Sequence, residues 1–171
     1  MVILRPTRKL LPFLPESSEL GIASDTALGD WYVKRFVVDR RPLLLLVSSR
    51  SLLPMVTPAR DVRSLPQRLP ALVAERLRQL RIAQPHIDTE CAAMEPVKIA
   101  RTTDRSVMGI MVDFAKCAPL FLEPDAWDDA TLPAVEARLA ETPCYASRRF
   151  AEMIIPKERA PELLAAQWHA R

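Results

Sequence analysis

Asp104, Arg105 and Ser106 stand at the head of an apolar segment, and Asp113 follows inside it. Thr103 or Asp104 can accept hydrogen bonds from the first free amides of a helix, so the stretch reads as a helix start. Free amides at such a terminus favour an anion. The same residues also suit a cap plus an internal ion pair, with Asp104 capping and Arg105 reaching a carboxylate. Asp30, Trp31 and Tyr32 form a second group. They suit an aromatic surface for a partner or a base, or equally a turn residue followed by the core of a strand. Asp30, Trp31, Asp104, Arg105, Ser106 and Asp113 are therefore the candidate binding residues. No catalytic or metal-ligating residue is assigned, and no cofactor is expected.

Other chemistries have weaker support. A metal-dependent nuclease needs clustered carboxylates and a lysine. Asp88, Glu90, Glu95 and Lys98 fall on two candidate strands, and alternation would put Asp88 and Glu90 on one face. The spacing from Glu95 to Lys98 misses an E-x-K pattern by one residue. His86 and His169, the only histidines, are far apart in sequence and read as exposed loop and tail positions. Cys91, Cys117 and Cys144 form no C-x-x-C and read as buried free thiols. The three glycines, Gly21, Gly29 and Gly109, leave no G-x-G-x-x-G and no G-x-S-x-G. Arg76, Arg78 and Arg81, with Arg40 and Arg41, suit phosphate contacts. They suit a solvated helix face equally well.

These groups must be positioned by short elements, because sixteen prolines punctuate the 171 residues. Met1 to Leu4 reads as a short edge strand, and 7–14 as a small helix broken by Pro12. Residues 15–30 read as a loop. The aromatic and β-branched residues of 31–39 predict a strand, and Asp39-Arg40-Arg41-Pro42 a tight connection. Leu43 to Val47 is continuously apolar, as in a strand buried on both faces. A third strand over 52–57 contains Pro54, which suits an edge. Leucines at helical spacing predict a helix over 64–82, with Ser64 and Gln67 as a capping box. Pro70 conflicts with so early a start and shifts the regular part towards Leu69. Residues 87–94 and 97–100 read as two further strands. Helices are predicted from Asp104 to Ala118, over 131–141 and over 156–170. Gly109 falls mid-helix, where a close neighbour would explain it.

The order of strands, helix, strands and helices predicts an α+β fold. The expectation is a single domain whose antiparallel sheet, of about 4–6 strands, is covered on one face by helices. Residues 1–122 would form its core and 123–171 a helical C-terminal extension on the same domain. The hydrophobic fraction of 49%, the charged fraction of 26% and the net charge of +3 suit a soluble protein. No apolar run approaches the ~20 residues of a membrane span, and a charged N-terminus replaces a signal peptide's apolar run. A cytoplasmic protein is expected.

Several stretches resemble one bacterial family of domains of unknown function. Thr7-Arg8-Lys9-Leu10 resembles its T-x-K-L start, and Leu28-Gly29-Asp30-Trp31-Tyr32 its strand opening. Val38-Asp39-Arg40-Arg41 with Leu43 to Val47 resembles its first hairpin. Thr102 to Ala115 resembles T-x-x-R-S-x-x-G-x-M-N-D-F, with Val112 where the family has asparagine. The resemblance spans about residues 1–122 and implies no activity, cofactor or catalytic residue. The function expected is a non-catalytic macromolecule-binding module, with a protein partner or a second copy of the chain and no membrane. A nucleic-acid-binding protein and a nuclease-like enzyme are the alternatives.

Overall fold

The computed structural model describes residues 1–15, 23–145 and 153–169. Residues 16–22 of the expected loop and Ala170 of the expected last helix lie outside the described residues. The fold is α+β, a single domain built on one five-stranded sheet in the order β4-β3-β2-β1-β5. Its strands are β1 (Val2–Pro6), β2 (Trp31–Val38), β3 (Arg41–Ser48), β4 (Pro54–Pro58) and β5 (Val97–Ile99). Among the described residues the α-helices are α1 (Leu65–Gln79), α2 (Gln84–Ala93), α3 (Arg105–Cys117), α4 (Leu132–Ala140) and α5 (Pro156–Trp168).

The predicted meander forms. β2 and β3 pair antiparallel from Trp31↔Ser48 to Val38↔Arg41, closed by Asp39 and Arg40. Both turn residues have positive φ, 48° and 65°, the backbone of a two-residue turn that follows strand twist. The β3–β4 pair continues the meander. β1, however, is not an edge. It lies between β2 and β5 and pairs parallel with both. A four-residue apolar run carries no mark of which strands flank it, and both of its partners come later in the chain.

Two further expectations change. Residues 87–94 form most of helix α2 rather than a strand. The helices also cover both faces of the sheet. Trp31, Val33, Leu44, Leu46 and Met55 pack with α1, α2 and α5 on one side. Tyr32, Leu43, Leu45, Val47 and Val56 pack with α3 and α4 on the other. Two-sided burial is why Leu43 to Val47 is apolar at every position rather than alternating.

Helix α1 starts at Leu65 and keeps Pro70 inside it, although the ring removes one internal hydrogen bond. The predicted capping box does not form. Ser64 Oγ donates to the Asp61 carbonyl and accepts from Arg68 Nε, and no cap bond is made. Gly109 has no close neighbour, since a Cβ there would meet nothing within 4 Å. Of the two described glycines, Gly29 is the one that the fold requires. Its φ is +79°, and a Cβ would sit 2.4 Å from Ser49 Oγ.

Candidate functional site

The candidate residues separate into three places. Asp30 precedes β2 and ties the opening of the sheet together. Its carboxylate accepts from Arg5 Nε and Ser24 Oγ, and its amide donates to Ser49 Oγ at 2.9 Å. Arg5 also donates to the Arg101 carbonyl, and Ser24 Oγ accepts from the Ile3 amide. Arg5 is 8% exposed, so the pair is an internal brace between β1 and the chain entering β2. Trp31 is wholly buried in the core. It offers no aromatic surface. Arg5, Ser24 and Ser49 were not singled out by the sequence, because they meet Asp30 only through the fold.

The helix start forms as predicted. Asp104 caps α3, and its Oδ1 accepts from the Ser106 amide at 2.9 Å and from Ser106 Oγ at 2.6 Å. The Asp104 amide donates to Tyr32 Oη at 3.1 Å, which fixes the cap to β2. A carboxylate already occupies the N-terminus, so a second anion there would meet a like charge. Arg105 is exposed. Asp113 lies about 13 Å further along the helix axis. There its charge adds to burial in pushing the Cys144 thiol up to about 11. Val112 is 37% exposed beside it. The structure therefore does not bring Asp113 to the cap.

Among the described residues two carboxylates are buried, and each holds elements together. Glu90 of α2 is 0% exposed. It accepts from the amides of Ala27 and Leu28 and from Trp168 Nε1, at 2.9, 3.0 and 2.9 Å. Burial pushes its carboxyl up, and those same donors oppose the rise. With α2 helical, Asp88 and Glu90 no longer share a face, and Asp88 is exposed, accepting from Gln84. The one-face pairing of Asp88 and Glu90 that a strand would give is therefore replaced by one buried and one exposed carboxylate.

Glu136 of α4 is the second. Its Oε1 accepts from the Val56 amide at 2.7 Å. Burial pushes its carboxyl up to about 7, against the Val56 amide and Arg76. Arg76 of α1 is buried too and donates to the carbonyls of Pro54 and Glu136 and to Gln79 Oε1. Burial pushes this guanidinium down. A cleft of about 190 Å³ beside the pair is lined by Met55, Thr57, Gln79 and Pro133, among others. That is below the ~300 Å³ at which ligand pockets begin.

These groups close one edge of the sheet. Along β4 the backbone groups of residues 54, 56 and 58 point away from β3. Pro54 and Pro58 have no amide hydrogen, Glu136 takes the amide of Val56, and Arg76 takes the carbonyl of Pro54. Prolines and inward charges are standard protections of an edge strand. At the opposite edge, β5 is only three residues long.

A third edge is open. β1 stops at Pro6↔Val33, and Thr7 makes the last bond, its amide donating to the Val33 carbonyl. β2 continues to Val38 with β3 alone beside it. Alternation directs the backbone groups of Arg35 and Val37 to the vacated side. They meet no partner among the described residues. Val37 is 50% exposed, and Phe13, in the turn after β1, is 59% exposed. Arg8, Lys9, Arg35 and Arg40 are exposed at the same end. The strand and its hairpin were legible in the sequence. The point at which β1 lets go of β2 was not.

No described helix is long and apolar enough to cross a membrane. The chain belongs to the family described as a domain of unknown function, DUF6933, whose match spans residues 3–159. That match extends beyond the resemblance at 1–122 and takes in α4 and most of the segment after it. No curated protein and no solved structure matches the chain.

Proposed function

We propose that the chain is a non-catalytic protein-binding module that takes an extended acidic segment of its partner along the open edge of β2. One observation carries this reading: the unpaired backbone of Arg35 and Val37, left beyond the end of β1. Strand addition draws its affinity from such main-chain groups and its specificity from neighbouring side chains. Val37 and Phe13 supply apolar contacts. The exposed cations around them select acidic residues. A second copy is the poorer occupant, because edge-to-edge pairing would bring Arg35 and its cationic neighbours against their own copies. The protections on β4 and the brevity of β5 leave this as the accessible edge.

The test is selection from a displayed random-peptide library with the full chain, beside Val37→Pro. Proline is tolerated where a strand amide faces solvent, so the variant should fold, with circular dichroism as the check. The expected result is enrichment of alternating acidic and apolar peptides by the wild type and its loss in the variant. No enrichment, or the same enrichment by both proteins, overturns the reading. The exposed arginines also favour nucleic acid as a second reading. It predicts a gel shift with duplex DNA or RNA that weakens steeply with salt and survives Val37→Pro.

A further inference from the structure

We infer that His86 and His169 form a binding site for a divalent transition metal at the junction of α2 and α5. The two rings lie with centroids 5.2 Å apart and planes at 79°. A tetrahedral zinc held by two imidazole nitrogens at 2.0–2.1 Å sets the ring centres roughly 5.2 Å apart. The observed spacing is that of an edge-to-face ring contact, and it is also the spacing a bridged pair takes once each ring turns a nitrogen towards the ion. Imidazole suits zinc, copper and nickel rather than magnesium or calcium.

The pair belongs to a built interface. Glu90 lies one helical turn beyond His86 and accepts from the indole of Trp168, the neighbour of His169. That buried bond fixes the two helices just beneath the rings. His86 is half-buried and His169 exposed, and neither imidazole is engaged in a hydrogen bond among the described residues. Each ring is free to turn a nitrogen outward. His86 sits near the start of α2, and His169 is the C-terminal cap of α5. The partial charges of the two termini oppose one another there, which leaves the ring nitrogens to decide. No group of three or more His, Cys, Asp or Glu with metal-binding geometry occurs among the described residues. Water would fill the remaining positions around the ion.

The test uses the full chain with zinc chloride, read by thermal unfolding, and with cobalt(II), read by visible absorption. Zinc at a hundredfold excess over its Kd should raise the midpoint by about 5–10 °C. A chelator should reverse the rise. His86→Ala and His169→Ala should each abolish it while leaving the metal-free midpoint near that of the wild type. Cobalt held by two imidazoles and water should give weak d–d bands and no thiolate charge transfer. The inference fails if the wild type shows no rise, or if either variant keeps it. It also fails if a thiolate band shows that the metal sits on a cysteine.

Discussion

Replacing Glu136 by glutamine tests what the buried pair beside β4 contributes. Burial pushes its carboxyl up to about 7 in the fold, from an ordinary 4.5. The folded chain therefore holds a proton that the unfolded chain has already released. Unfolding releases that proton, so stability is full below about pH 4.5 and falls as pH rises towards 7. The whole loss is about 3 kcal/mol, and most of it falls between pH 5 and pH 8. Glutamine cannot ionise, yet its carbonyl still accepts from the Val56 amide. Urea unfolding should therefore show Glu136→Gln close to the wild type at pH 5 and about 2 kcal/mol more stable at pH 8. Titrations elsewhere, Glu90 included, are common to both proteins and cancel in the difference.

The opposite result has a clear physical meaning. Removing one partner of a strong buried ion pair commonly costs about 3–5 kcal/mol. Here the Arg76 Nε to Glu136 Oε2 distance is 3.9 Å. The guanidinium spends its hydrogens on the carbonyls of Pro54 and Glu136 and on Gln79. The geometry favours burial over attraction as the larger effect. A glutamine variant destabilised by several kcal/mol at pH 8 would refute that ordering.

Glu90→Ala should cost several kcal/mol in urea unfolding, because three buried donors lose their acceptor at about 1–3 kcal/mol each. Glu90→Gln should cost less, since one carbonyl oxygen can still accept two of them; equal losses would count against the hydrogen-bond account. Gly109→Ala should stabilise by up to about 1 kcal/mol, since an exposed helical glycine meets nothing. Gly29→Ala should destabilise, through its positive φ and the approach of Ser49, so thermal midpoints that move in the same direction would contradict one of the two. Burial pushes the thiols of Cys91 and Cys144 up to about 11. Iodoacetamide at pH 8 should therefore modify them far more slowly in the native chain than in denaturant, as mass spectrometry of the labelled peptides would show.

Local signals were readable where they were strong. The β2–β3 hairpin, the leucine spacing of α1 and the Asp104 cap each declare themselves within a few residues. Helix α2 did not, because its buried face includes Glu90, whose partners Ala27, Leu28 and Trp168 lie far along the chain. A buried carboxylate looks like a solvent residue until its donors are known. The apolar run Leu43 to Val47 did carry the mark of two covered faces, but the order of elements suggested cover on one. Of the candidate site residues, the cap was legible, and the brace around Asp30 was not. His86 and His169 meet only because Glu90 and Trp168 bring their helices together.

The place of β1 sets a timetable for the fold. Its partner Val97 lies about 95 residues after Val2, which is about 5–20 s of synthesis at 5–20 residues per second. For that interval Val2, Ile3 and Leu4, all wholly buried in the finished protein, have no β5 to flank them. The β2–β3–β4 meander has only local partners to find and can form first. The first strand made is then among the last to be enclosed, and a ribosome-bound chain ending before β5 presents an apolar strand to whatever chaperone meets it.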